Sequence, residues 1–341
     1  MRKREWPGLP RKNAEAEIPA QESPRYGMRK VKVYVFYPGG ALSKVNRRTG
    51  LFLSLHNWGG TRAFGAPDPK TLAERYNVAA ICVDYLQSGL SDPEKDRIPY
   101  DLGYWQALDA LRALYFVHAG LRKKGIAFDR RRTYVAGGSG GGNVSLMSNK
   151  LAPRTFACVV DFSGVARLTD GIAFRPPNEP PSARWSRDPE NPNYLPEDAQ
   201  QIRDPGYPPH LAVMKSAGNQ ARVLCIHGVD DSACLIGETR RVVRNMKAAG
   251  LEVEPHYVRK GDVDGDLFLN SGHPIGNRTR LLIHFADKYL SPGGAEMRRT
   301  GGPSDFDARD ESVRYATKRG AYVVSYADGY PVGRFEPCAR T

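Results

Sequence analysis

Tyr134-Val-Ala-Gly-Gly-Ser139-Gly-Gly-Gly-Asn143 decides how this chain is read. Gly137, Ser139 and Gly141 meet the G-x-S-x-G pattern, in which a serine sits on a sharp turn from a strand into a helix and the flanking glycines remove side chains that would collide there. The pattern alone says little in a chain with 35 glycines, so its surroundings matter. Upstream, Arg132–Ala136 is a short apolar, partly β-branched run of strand character. Downstream, Val144, Met147 and Leu151 recur at helical spacing. A glycine loop cradling a phosphate is the alternative, but no Lys-Ser/Thr pair follows the glycines as a Walker-type loop requires.

Outward from this point, strand-like and helix-like segments alternate. Val31–Tyr37 and Leu51–Leu55 read as strands, a helix is expected around Lys70–Tyr76, and Ala79–Asp84 reads as another strand. A long helix follows from about Gly103 to Leu121. Beyond the serine turn come a strand at Ala157–Phe162, another at Arg222–Ile226, a helix over 237–249, a strand at Val253–Val258 and a last helix from about Asn277 to Tyr289. Strict alternation of this kind predicts a doubly wound, mostly parallel α/β sheet covered on both faces.

Three stretches break the repeat. Residues 1–28 are polar and aperiodic and read as an N-terminal arm. Residues 165–218, with the run Arg175-Pro-Pro-Asn-Glu-Pro-Pro181, form a proline-rich insertion placed as a lid would be; a surface excursion without a role is the alternative. Residues 292–341 read as a C-terminal extension with a β-hairpin around Lys318-Arg-Gly320, which could support dimerisation or cap the site. The expected catalytic domain is 29–291.

Composition narrows the function classes. No run reaches the ~18–20 apolar residues of a membrane helix, and the charged start Met1-Arg-Lys-Arg lacks the apolar core of a signal peptide. A soluble, cytoplasmic protein with no membrane partner is the expectation. The cysteines at 82, 158, 225, 234 and 338 are odd in number and contain no C-x-x-C pair, so no disulfide framework is expected. The net charge is +13, yet the basic residues are spread along the chain without interleaved aromatics, so no nucleic-acid partner is expected.

A serine hydroxyl needs a base and a group that orients the base. Ile226-His-Gly-Val-Asp230-Asp231 follows the strand after the insertion, where the acid should lie. The His-Gly-x-x-Asp spacing favours Asp231, with Asp230 the alternative. Asn270-Ser-Gly-His273-Pro-Ile-Gly276, in the loop after the last strand, supplies His273 as general base. His56-Asn57-Trp58-Gly-Gly60 follows an earlier strand and offers the Trp58 amide as one oxyanion donor, with Gly140, next to the nucleophile, as the other. His56, Asn57 and Trp58 are the expected pocket residues; core packing is the alternative for Trp58. Asp262-Val-Asp264-Gly-Asp266 starts like a calcium loop but misplaces the glycine and lacks the closing glutamate. No metal or cofactor is expected, and the string reads as a polar loop carrying His273.

With these elements in chain order, residues 31–290 resemble an α/β-hydrolase, closest to the prolyl-oligopeptidase-like peptidases and related esterases. The resemblance implies a Ser139, His273, Asp231 triad working through an acyl-enzyme. The oxyanion loop departs from it, reading His-Asn-Trp where many relatives have His-Gly-x. The expected function is hydrolysis of a small-molecule or polymeric carboxylic ester. A serine peptidase of the same fold and a noncatalytic hydrolase-like binding protein are the alternatives.

Overall fold

The computed structural model describes residues 6–89, 98–176, 179, 181–309 and 311–338. Met1–Glu5 and three members of the proline run, Pro177, Asn178 and Pro180, lie outside them. The chain is organised on an eight-stranded sheet in the order β1-β2-β4-β3-β5-β6-β7-β8. Its strands are β1 (Ala14–Pro19), β2 (Lys30–Phe36), β3 (Gly50–Leu55), β4 (Val78–Asp84), β5 (Thr133–Gly138), β6 (Cys158–Phe162), β7 (Arg222–Gly228) and β8 (Val253–Val258). From β4 through β8 every neighbouring pair is parallel, while β1 and β2 join antiparallel at one edge. This is an α/β-hydrolase fold.

Alternation along the central strands sends side chains to opposite faces. Leu51, Leu53 and Leu55 of β3 face one core with Val135, Val159 and Val223, and there meet α2 (Tyr104–Lys123) and α3 (Gly140–Leu151). Phe52, Tyr134, Ala136, Val160 and Leu224 face the other and meet α1 (Pro69–Tyr76) and α8 (Arg278–Leu290). Each buried Leu, Val or Phe contributes about 1.5–3 kcal/mol, so the two-sided core fixes the register of the strands whose ends carry the site. Helix α1 starts where Asp68 accepts from the Thr71 amide at 2.8 Å, with Pro69 at its first position. Helix α8 is capped in the same way by Asn277.

The segment read as an arm is partly sheet, which corrects that expectation: β1 pairs with β2 along Ala14–Pro19. Of its six residues only Ile18 is fully buried, so an edge strand with glutamates outward leaves almost no apolar pattern to detect. The insertion carries three short helices, α4 (Asp170–Ala173), α5 (Glu197–Ile202) and α6 (Pro208–Ser216). Helix α7 (Ile236–Ala248) then packs against β7 and β8.

Val165, Leu168, Ala173, Ala183, Trp185, Leu195 and Ala199 form a third apolar cluster with Tyr100, Leu102 and Cys234, with Trp58 against it. Two buried basic side chains tie down the end of the insertion. Arg203 pairs with Asp101 and donates to the Ala199 carbonyl, and Lys150 donates to the carbonyls of Ile202 and Asp204 at 2.7 and 2.8 Å.

The expected C-terminal hairpin is a three-stranded antiparallel sheet of β9 (Ser312–Thr317), β10 (Gly320–Ser325) and β11 (Val332–Pro337). The third strand escaped the sequence reading because Val-Gly-Arg-Phe-Glu-Pro buries only Gly333. The small sheet docks through Tyr315 and Tyr326, whose hydroxyls donate to the carbonyls of Lys150 and Leu151 at the end of α3. All five cysteines are free thiols. Among the described residues no helix is long and apolar enough to cross a membrane.

Candidate active site

Ser139 links β5 to α3 with φ 55° and ψ −120°, a conformation that costs of order 1–3 kcal/mol for a residue with a side chain. The crossing strand explains the glycines. A Cβ at Gly141 would sit 2.3 Å from the Leu55 carbonyl oxygen, so α3 can start this close to β3 only without one. A Cβ at Gly140 would lie 2.8 Å from the Trp58 amide nitrogen. That closeness brings the two expected oxyanion donors together beside Ser139, at the positive end of α3.

The loop after β7 delivers the carboxylate. Asp231 Oδ1 accepts from the amides of Ala233 and Cys234 at 2.9 and 2.7 Å. Its Oδ2 accepts from His273 Nδ1 at 2.8 Å and lies 3.3 Å from His227 Nε2. Burial alone would raise the Asp231 pKa; the hydrogen bonds from His227, His273 and the Cys234 amide outweigh it and hold the carboxylate well below its usual range. His227 is fixed in turn, with Nε2 donating to the Cys234 carbonyl at 2.7 Å and Nδ1 3.0 Å from Thr239 Oγ1.

Asp230 faces elsewhere. It accepts from Ser271 Oγ at 2.6 Å, and its amide donates to the Ser271 carbonyl at 2.9 Å. The adjacent aspartates therefore divide their contacts, one meeting the His273 ring and the other its loop. Asp264 likewise spends Oδ1 on the amides of Asp266, Leu267 and Phe268, and Asp266 pairs with Arg280.

Pairing of His273 Nδ1–H with Asp231 leaves Nε2 as the lone-pair nitrogen on a partly exposed ring. That is the tautomer a general base toward a serine hydroxyl requires. Ser139 Oγ lies 3.9 Å from Cys234 Sγ, and Cys234 Sγ stands within 4.8 Å of ligand atoms of both Asp231 and His273. Asp231 and His273 are thus joined directly, and Cys234 stands between that pair and Ser139; among the described residues no hydrogen bond joins Ser139 Oγ to the His273 ring.

Two of the expected pocket residues are held within their own loop. His56 is fully buried, its ring stacked on Tyr85 at 3.9 Å, with Nδ1 donating to the Asn57 carbonyl and Nε2 2.6 Å from Ser88 Oγ. Burial pushes its pKa down to about 4, so the ring is neutral and shapes the loop from below. Asn57 packs its amide between Gly60 and Gly65 of its own loop. Both depart from the expectation because the tight turn after β3 folds these side chains inward. Trp58 stays partly exposed and stacks on Tyr100 at 3.8 Å and 9°.

Three neighbours escaped the sequence reading. Cys234 sits in a loop with no strand or helix pattern. Tyr100 lies just before α2, outside the alternation. Arg278, at the start of α8, packs its guanidinium where a Cβ on Gly138 would be, and its Nε is buried without a hydrogen-bond partner among the described residues. No spacing rule links these positions to Ser139.

A model of the prolyl oligopeptidase family matches residues 95–292, more than half of the chain. The chain belongs to this family of serine hydrolases. The match covers Ser139, Asp231 and His273, but not the loop that carries Trp58. Among solved structures the chain is similar to the acylaminoacyl peptidase of Pyrococcus horikoshii, with a TM-score of 0.54 and 16% identity over 82% of this chain and 42% of that one. It is also similar to a puromycin-hydrolyzing peptidase of Mycobacterium tuberculosis, with a TM-score of 0.50 and 19% identity over 80% of this chain and 39% of that one. The chain thus spans about two fifths of the length of these structures. At such identities the likeness is one of fold. No curated protein matches it.

Proposed function

We propose that this member of the prolyl oligopeptidase family hydrolyses carboxylic esters through an acyl-enzyme on Ser139. The observation that carries the reading is the 2.8 Å hydrogen bond from His273 Nδ1 to Asp231. It leaves Nε2 able to take a proton, and Cys234, which stands beside this pair, has its sulfur 3.9 Å from the Oγ of the strained Ser139. Ser139 Oγ attacks the ester carbonyl and passes its proton to His273 Nε2. Asp231 holds and stabilises the imidazolium, and the oxyanion meets the amides of Trp58 and Gly140. His273 then protonates the leaving alcohol. Water, deprotonated by the same nitrogen, releases the acid and restores the serine.

The second reading is a serine peptidase, favoured by the family match and by the peptidase names of the two solved structures. The same groups serve an amide, with protonation of the leaving amine more demanding than that of an alcohol. The deciding experiment measures kcat/KM for matched ester and anilide substrates sharing one acyl group. Turnover of p-nitrophenyl acetate and butyrate with no peptide or anilide cleavage supports the ester reading. Anilide or peptide cleavage at comparable kcat/KM overturns it in favour of the peptidase.

A further inference from the structure

The backbone of Cys234 helps to hold Asp231 and His227, but its thiol has no part in the hydrolysis derived above, although it stands beside that chemistry. Single ligand atoms from Asp231, Cys234 and His273 all lie within 4.8 Å of one another, and Ser139 Oγ is 3.9 Å from the sulfur. A carboxylate oxygen, a thiol sulfur and an imidazole nitrogen make up a donor set suited to zinc. Donors on a tetrahedral zinc ion, with bonds of about 2.0–2.3 Å, stand roughly 3.3–3.8 Å apart. Binding therefore requires the partly exposed His273 side chain to move toward the other two donors. An outer layer exists as well: Asp231 is held by His227, and His227 by Thr239.

We propose that Asp231, Cys234 and His273 form a binding site for a thiophilic divalent cation, zinc fitting it best, and that occupancy switches the hydrolase off. Inhibition follows from the imidazole. A cation on Nε2 takes up the lone pair that accepts the serine proton. A cation on Nδ1 leaves the ring proton on Nε2, with the same result. The thiol proton is released to solvent as the sulfur–metal bond forms, while the neutral ring keeps its single proton. Ser139 Oγ or a water completes the four-coordinate shell.

The inhibitory half rests on the ester hydrolase reading; the binding half does not. The test therefore begins with cobalt(II) titration of the Ser139→Ala protein in a Cys338→Ser background, which removes the exposed thiol. A saturable thiolate-to-cobalt absorption band at one equivalent is expected, abolished by Cys234→Ser and displaced by zinc. Zinc inhibition of ester turnover in the Cys338→Ser protein should weaken at least tenfold when Cys234→Ser is added. It should strengthen about tenfold per pH unit, because one proton leaves per ion bound. Absence of the band, or a band that survives Cys234→Ser, overturns the site whatever the activity. A Cys234-dependent band with unchanged zinc sensitivity overturns the switch. Lack of ester turnover counts against the hydrolase reading alone, since the band is read without it.

Discussion

The two halves of the candidate site are held together by different forces. On the acid–base side, Asp231 accepts from the amides of Ala233 and Cys234 and from His273, with His227 Nε2 3.3 Å away, and Asp230 secures the loop that brings His273. On the covering side, Trp58 stacks on Tyr100, the Tyr100 carbonyl accepts from Trp185 Nε1 at 3.0 Å, Arg203 pairs with Asp101 at the far end of the insertion, and apolar side chains fill the space between. Hydrogen bonds to a buried charge fix direction and distance, whereas packed aromatic faces fix little beyond proximity. On the proposed mechanism the chemistry belongs to the polar half, and we propose that substrate choice belongs to the insertion and Trp58.

That contrast can be broken most severely at its polar half. Ser139→Ala should lower kcat by about 10⁴–10⁶-fold, and Asp231→Asn by roughly 10³–10⁴-fold through loss of the correct His273 tautomer. Asp230→Asn should cost under about tenfold, since it meets Ser271 and not the ring; rate assays on the three purified variants give the ranking. Equal losses at Asp230 and Asp231 would erase the division between them.

The covering half should answer in stability first. Arg203→Met leaves Asp101 as an unpaired buried charge and should destabilise the fold by about 3–5 kcal/mol, measured by urea unfolding. Trp58→Ala removes an aromatic wall but keeps the amide, so KM should rise by about five- to twentyfold with kcat nearly unchanged, consistent with a loss of ~1–2 kcal/mol of apolar contact. A collapse of kcat instead would place the Trp58 ring in the chemistry.

The smallest effect concerns pH. Burial pushes the Lys150 pKa down to about 7 from 10.5, so between these values the unfolded chain binds a proton that the folded chain has released. Stability therefore rises as pH increases through that window, and Lys150→Met should remove this part of the slope in denaturation curves recorded at several pH values.

Much of this arrangement was legible in the sequence because it follows from backbone constraints. The serine turn needs glycines where β3 and α3 nearly touch, and buried parallel strands must be apolar on both faces. The choice of Asp231 over Asp230 was open to a spacing argument since one loop residue moves the carboxylate from His273 to Ser271. Cys234, Tyr100 and Arg278 were not legible, because they reach the site through tertiary packing of segments without periodicity. Edge strand β1 was hidden for a related reason: a strand half in water buries too little apolar surface to leave a pattern.

The proposed hydrolysis requires that Ser139 be an activated nucleophile. Intact-mass analysis after exposure to a fluorophosphonate, with peptide mapping of the adduct, tests this directly. One adduct per chain, located on Ser139 and absent from Ser139→Ala, is the predicted result. Folded wild-type protein that takes up no label, or carries it on another residue, would contradict the account.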